Sequence, residues 1–227
     1  MSTTESSGAT KRGQLITLEG PDGSGKSTQF RLLSKRLTAS GFAVLESAEP
    51  GGSPIGRQIR RILLDSTNRD LAPTAELLLM FAARAQNVEQ WILPALQEGK
   101  IVLSDRFTDS TLAYQGAGRG LGSDVVLQVD RIACHGLVPD LTICVDVDTD
   151  TGLARAHSRN FDSSELDESR IDGEAVEFHH KVRDAYFALA EAEPNRVRII
   201  DGNKAPEVVA DAVWTEVSTY LASVSYK

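Results

Sequence analysis

The chain has 227 residues, 41% of them hydrophobic and 25% charged, with a formal net charge of −8. That length suits one α/β domain with a sizeable core, and the composition is that of an ordinary globular chain. An acidic balance with no offsetting basic run excludes a general nucleic-acid or membrane-surface binder, and no apolar stretch reaches membrane-spanning length.

Residues 1–13 are rich in Ser and Thr and lack the hydrophobic region of a signal peptide, so a disordered tail is expected there, ahead of a single domain over 14–227. Residues 15–19 form an apolar run with strand character. Directly after it, GPDGSGKS from Gly20 to Ser27 is a complete G-x-x-x-x-G-K-[ST] pattern, followed by an amphipathic stretch. Gly20, Gly23 and Gly25 let the backbone curl, so that the N–H groups of Pro21–Thr28 other than proline's (Asp22, Ser24, Lys26, Ser27 and Thr28 among them) point at one anion. Lys26 can reach the β and γ phosphates of a nucleoside triphosphate, and the Ser27 hydroxyl can ligate Mg²⁺. The bland alternative, a Gly-rich turn with an exposed lysine, does not account for the strand before the loop and the helix after it.

Beyond the loop, Phe30, Leu33 and Leu37 keep helical spacing until Gly41. A second strand is expected over 43–46. Glu49–Pro50 leads into Gly51–Gly52, where a cis peptide bond is expected. Residues 74–96 read as a long helix with Pro94 near its end, and 101–105 as a third strand. A fourth strand is expected over 141–146 and a fifth over 197–201. Helices are expected over 172–191 and over 206–221, the last opened by Pro206. Between them NFDSSELDESRIDG, residues 160–173, is polar, acidic and aperiodic. It reads as a long loop, with a lid expected over about 155–173. Short apolar strands alternating with helices predict a three-layer α/β fold, a five-stranded parallel sheet covered on both faces. Cys134 and Cys144 match no metal or redox spacing and point to a reducing compartment; the adjacent His179 and His180 diverge on a helix and make a poor chelating pair.

Asp105 ends the third strand, where a carboxylate can reach Mg²⁺ or its waters beside the phosphate loop. Arg106 follows at once, a fork of donors suited to a second phosphate. A capping aspartate and a surface arginine are the plain alternative, which a position on the ligand-binding edge of an α/β sheet disfavours. Two anion sites side by side favour transfer between nucleotides over hydrolysis.

The succession LEGPDGSGKST, EPGG, LLLMFAARAQ, DRFTDSTLAYQGAGRG and VPDLTICVDVDTDTGLARA resembles thymidylate kinase of the bacterial type, from about Leu15 to the C-terminus. The resemblance implies a P-loop kinase fold, ATP as co-substrate with Mg²⁺, dTMP as acceptor, and a homodimer formed through helices; a cytoplasmic setting is expected from the absence of a signal-peptide-like start. In its terms Lys26 and the loop amides hold ATP, Asp22 engages the sugar 3′-hydroxyl of dTMP, and Arg106 clamps the acceptor phosphate. Arg84 donates to the thymine carbonyl, Met80 and Phe81 stand where the base is covered, and Tyr114 packs under the deoxyribose where a 2′-hydroxyl would clash. Ser110, Thr111 and Gln115 line the same pocket. Independently of the resemblance, Glu49 at the edge of the acceptor site is expected to orient Arg106. Arg155 and Arg159, four apart on one helical face, are lid arginines; because the variable positions of the phosphate loop, PDGS, hold no basic residue, Arg159 is the expected transferring arginine and Arg155 its helper. Each side chain has an ordinary reading beside this one. Tyr114 and Phe81 could be core aromatics, Arg84 a solvated helix arginine, Arg155 and Arg159 likewise, and Glu49 a loop carboxylate.

The chain departs from the family pattern at Ala48, where an arginine is usual, at Met80, where an aromatic often stacks on thymine, and at Ser169, where an acidic residue precedes Arg170. Lid contacts to Mg²⁺ or adenine therefore do not carry over, apart from Arg170. Two other readings stay open at this point. One is a P-loop kinase of another nucleotide or of a deoxynucleoside; the other is a regulatory protein that binds ATP without catalysis.

Overall fold

The computed structural model describes residues 11–162 and 169–224, apart from the side chains of 157 and 159–162. Five parallel strands form one sheet in the order β2-β3-β1-β4-β5: β1 (Gln14–Glu19), β2 (Val44–Ala48), β3 (Ile101–Asp105), β4 (Leu141–Asp146) and β5 (Val197–Asp201). The expected strands are all present; β2 is shifted toward its C-terminal end, where Ala48 pairs with Asp105. Helices α1 (Lys26–Ala39), α2 (Pro54–Leu64), α3 (Pro73–Asn87), α4 (Leu93–Gln97), α5 (Thr108–Thr111), α6 (Ser123–Ala133), α7 (Thr149–Asp162), α8 (Val176–Ala192) and α9 (Pro206–Ser223) surround it.

Period-two alternation along β1 assigns its two faces. Ile16 and Leu18 join Leu33 and Leu37 of α1 and Val209, Val213, Val217 and Leu221 of α9 in one core. Leu15 and Val102 face the other way, against Leu77 and Phe81 of α3, Leu96 of α4 and Val126 of α6. Thr17 and Glu19 share the parity of Leu15 and are fully buried. Thr17 is bonded to Thr142 at 2.9 Å, while Glu19 emerges at the strand end beside the site.

The long helix expected over 74–96 is present, but not as uniform α-helix. Residues Val88–Ile92 form a π-helical turn in which the Leu93 N–H bonds to the Val88 carbonyl. Pro94 follows directly and has no N–H to give, so the wide turn absorbs the break without ending the helix. A second π stretch, Leu112–Gly118, follows α5 and carries Tyr114 and Gln115. Besides the short α5, two longer helices were not anticipated. The first, α2, begins at a Ser53–Pro54 start in which the Ser53 hydroxyl accepts the Gly56 N–H at 2.9 Å; the second is α6.

Three expectations on boundaries are corrected. Residues 1–10 of the expected tail lie outside the described residues, but Arg12 and Gly13 at its end are tied down: Arg12 pairs with Asp140 at 2.9 Å, and Gly13 N–H bonds to the Leu96 carbonyl at 2.7 Å. The expected loop over 160–173 begins as helix, because α7 runs to Asp162; its middle, 163–168, lies outside the described residues. Helix α8 starts at Val176 rather than at 172. The Glu49–Pro50 bond is cis, as expected.

Candidate active site

The site lies at the C-terminal edge of the sheet, where β1, β3 and β4 meet and the strand order reverses direction, the usual ligand crevice of such sheets. The loop after β1 turns on glycines that admit no side chain. Gly20 (φ 132°) would place a Cβ 2.2 Å from the Val145 carbonyl oxygen, and Gly23 (φ 70°) would place one 1.9 Å from that of Gly152 at the start of α7. Lys26 opens α1 and folds back, donating to the carbonyls of Gly20 and Pro21, both at 2.8 Å. Burial, then Arg106, bring its ammonium down to about 8. The Ser24 hydroxyl is buried within the loop with no hydrogen-bond partner, as suits a cradle shaped for an anion. Ser27 stands exposed one residue into α1, and Asp105 ends β3 close enough to stabilise the charge on Lys26. One hydroxyl and one carboxylate fit Mg²⁺, which takes most of its ligands from phosphate and water; among the described residues no cluster of three or more His, Cys, Asp or Glu offers a full protein cage.

Arg106 is the second cation, with a left-handed backbone (φ 71°). Its Nη2 donates to Asp22 at 2.7 Å and to the Tyr114 hydroxyl at 3.1 Å, and its Nη1 donates to Ser110 at 2.9 Å. The Tyr114 hydroxyl also donates to Asp22 at 2.7 Å. Burial alone would raise the Asp22 carboxyl, but Arg106 and Lys26 beside it hold it below the usual carboxylate range. Asp22, Arg106, Ser110 and Tyr114, apart in sequence, therefore form one connected group beside the phosphate loop.

Arg84 is no solvated helix arginine. It is buried between the rings of Phe81 and Phe107, 4.9 and 5.1 Å from their centroids. Its Nε pairs with Glu49, and its Nη2 donates to the Phe107 carbonyl at 3.1 Å and to Thr111 at 2.9 Å. A weaker bond of 3.4 Å runs from Nη1 to Thr108. A guanidinium has five donors, so these four bonds leave one Nη1 hydrogen uncommitted. Glu49 thus orients Arg84, not Arg106 as expected, and its other oxygen accepts from Asn87 at 3.1 Å. Phe81 is a core residue, 2% exposed, while Met80 on the same helix is half-buried.

Gln115 is turned to Glu76 of α3 at 2.7 Å. Glu76 is fully buried and also pairs with Arg119 at 3.1 Å and with Arg170 at 2.8 Å. Arg170, expected in the lid, is thereby fastened to α3. Arg155 is exposed, its Nη1 3.4 Å from the Gly202 carbonyl; the side chain of Arg159 lies outside the described residues.

Several buried polar residues at the site were not anticipated. Glu19 accepts from the Phe107 N–H at 2.7 Å, from the Ser110 hydroxyl, and from the Tyr186 hydroxyl at 3.2 Å. Burial and the neighbouring Asp109 push its carboxyl up to about 7. Asp109 is itself paired with Arg196 at 2.7 Å. A signal for Glu19 was present: strand parity puts it on the buried face of a central strand, one residue ahead of the phosphate loop. No local signal exists for Tyr186, Glu76 or Arg196, whose partners lie far away in sequence.

The model of the thymidylate kinase family matches residues 18–213. A thymidylate kinase of Pelobacter propionicus is 48% identical over 205 residues, which cover 90% of this chain and 94% of that protein. One from Geotalea daltonii is 50% identical over 206 residues, covering 90% and 96%. Among solved structures, thymidylate kinase from Ehrlichia chaffeensis superposes with a TM-score of 0.74 at 29% identity, covering 91% of this chain and 99% of that one. A family match over most of the chain, and relatives about half identical along nearly its whole length, show that the chain belongs to the thymidylate kinase family.

Proposed function

We propose that this chain transfers the γ-phosphoryl group of ATP to dTMP, giving dTDP for dTTP synthesis. An oxygen of the dTMP phosphate attacks the γ-phosphorus in line; the bond to the β-γ bridging oxygen breaks and ADP leaves with that oxygen. Such transfer needs positioning and charge neutralisation more than proton transfer. The observation that carries this reading is the Arg106–Asp22 contact of 2.7 Å, which puts a second anion-binding group against the phosphate loop itself. A protein that only binds ATP has no use for it.

In this reading Lys26 and the loop amides from Gly20 to Thr28 hold the ATP phosphates; Ser27, and Asp105 directly or through water, would hold Mg²⁺, which would supply charge neutralisation between them. Arg106 grips the acceptor phosphate. Asp22, ionised at neutral pH, accepts the 3′-hydroxyl once Arg106 turns to the phosphate. The Tyr114 ring closes the space a 2′-hydroxyl would need. The thymine carbonyl takes the remaining Nη1 hydrogen of Arg84, Met80 covers the base, and Ser110, Thr111 and Gln115 hold the pocket wall. Arg155 and Arg159 supply positive charge at the transferred group, with Arg159 in the leading role. The chain works in the cytoplasm; no helix among the described residues is long and apolar enough to cross a membrane.

A coupled assay offering dTMP, dUMP, UMP, CMP and GMP tests the reading. Preference for dTMP is expected. A preferred ribonucleotide would refute the role of Tyr114, and ATP binding without any acceptor would refute catalysis. We further propose a homodimer formed through α3, the π turn that continues it, and α6; α3 and α6 pack together, and the three expose Leu78, Trp91, Val125 and Ile132. Sedimentation at increasing concentration should show twice the chain mass, and Ile132→Asp should shift it toward the monomer.

A further inference from the structure

Arg106 holds a backbone conformation that costs a residue with a side chain about 1–3 kcal/mol and persists only where the surroundings impose it. Here they do so from three sides. The Arg106 N–H donates to the Leu18 carbonyl at 3.0 Å, the Ser104 hydroxyl donates to the Arg106 carbonyl at 2.8 Å, and the next N–H, of Phe107, donates to Glu19 Oε1 at 2.7 Å. The other oxygen of the same carboxyl group receives the Ser110 hydroxyl. Ser110 Oγ, its hydrogen committed to Glu19, presents its lone pairs to Arg106 Nη1 at 2.9 Å.

The Tyr186 hydroxyl, 3.2 Å from the same Glu19 oxygen and 2.9 Å from Ser110, completes the group. The donors match a carboxylate: one N–H on one oxygen, two O–H groups on the other, and the serine lone pairs left for a cation. A carboxamide in the same place would present N–H groups to two hydroxyls that already have hydrogens to place.

We propose that Glu19 is the positioning residue of the acceptor clamp, one of its oxygens fixing the backbone just after Arg106 and the other, through Ser110, fixing the guanidinium. The proposal rests on the reading of Arg106 as the grip on the acceptor phosphate. It adds that the grip is set from behind, by a residue that touches neither nucleotide. A misplacement of the order of 1 Å at such a group costs about 10²-fold.

The test is a double-mutant cycle on Glu19→Ala and Ser110→Ala, read as separate KM values for dTMP and ATP. Glu19→Ala should raise the KM for dTMP about 10²-fold and leave that for ATP within about twofold. Ser110→Ala should raise the dTMP value about tenfold, as loss of one charge-assisted bond does. The double variant should be no worse than Glu19→Ala alone, because both act on one path. A folded Glu19→Ala enzyme with an unchanged dTMP KM, equal losses for ATP and dTMP, or additive single effects would each overturn the proposal.

Should Glu19→Ala fail to fold, the isosteric Glu19→Gln keeps the bond from Phe107. It should still raise the dTMP KM about tenfold, and an unchanged value would overturn the proposal equally. Arg106→Ala separates the two layers. If it raises the dTMP KM while the Glu19 variants do not, the positioning role alone fails; if it leaves that KM unchanged, the acceptor reading itself falls.

Discussion

On the donor side the phosphate loop is held by main-chain groups, its own and those of β4 and α7. Gly20 and Gly23 bend where a Cβ would collide with main-chain oxygens, and even Lys26 is satisfied by two carbonyls of the loop. On the acceptor side Arg106 is held by side chains from separate elements: Asp22 from the loop, Ser110 from α5, Tyr114 from the π stretch after it and, through Ser110, Glu19 from β1 and Tyr186 from α8. A backbone cradle serves any triphosphate and tolerates no change of shape. A side-chain clamp can be tuned to one monophosphate, at the cost of needing every member in place. In the proposed reading, specificity therefore belongs to the half assembled from distant residues.

Two substitutions should break the halves apart most sharply. Lys26→Ala should lower kcat by about 10²–10³-fold, since it removes a donor from the transferring phosphoryl. Arg106→Ala should lower kcat/KM for dTMP by a similar factor of about 10²–10³, yet leave ATP affinity, measured by calorimetry, nearly unchanged. Equal loss of both ligands in Arg106→Ala would mean that the two sites are one.

The same contrast explains what the sequence disclosed. The phosphate loop is contiguous, and its glycines, lysine and serine carry their roles in their spacing. The strands β1, β3, β4 and β5 were legible because they are short apolar runs. The clamp was legible only by resemblance, since the contacts that define it join residues such as Asp22 and Arg106, 84 positions apart, or Ser110 and Tyr186, 76 apart. The reading of Glu49 paired it with the wrong arginine, because no sequence pattern says which of two arginines near the site a carboxylate will meet. The cap of α2 at Ser53–Pro54, by contrast, is a local signal, a capping serine followed by a first-turn proline.

On the donor side, Gly23→Ala should cost about 3 kcal/mol, combining the left-handed backbone with a contact that forces the loop away from α7. For a chain of this size that lowers Tm by on the order of 10 °C in a thermal melt. On the acceptor side the comparable experiment adds stability. The Glu19 carboxyl, ordinarily near 4.5, is pushed up to about 7 by burial and by Asp109. An acid whose folded pKa exceeds its unfolded value stabilises the fold only while protonated; that advantage is present in full below the unfolded pKa and is lost as pH rises through the folded one. Across that window the native chain should lose on the order of 3 kcal/mol that Glu19→Gln keeps. Denaturant midpoints of the two proteins should therefore diverge between pH 5 and 7.5 in favour of the variant, which the positioning role nonetheless makes the poorer enzyme. Parallel midpoints would show that Glu19 is ionised at no cost.

Tyr114→Phe gives the smallest effect and separates the two tasks of one side chain. The ring packs edge-on against Phe178 with centroids 6.0 Å apart, and the hydroxyl bridges Asp22 and Arg106. Removing only the oxygen leaves the ring where a 2′-hydroxyl would have to go, so discrimination against UMP should survive. Asp22 loses a donor, and Arg106 loses one of its holders. The expected outcome is a rise of about five- to tenfold in the KM for dTMP, the worth of one hydrogen bond to a charged group, with kcat little changed. Because the Tyr114 hydroxyl is one of the donors that keep Asp22 ionised, the pH at which dTMP binding fails on acidification should also move upward in the variant. If selectivity against ribonucleotides fell instead while dTMP affinity held, the hydroxyl and not the ring would be the element that excludes the 2′-oxygen.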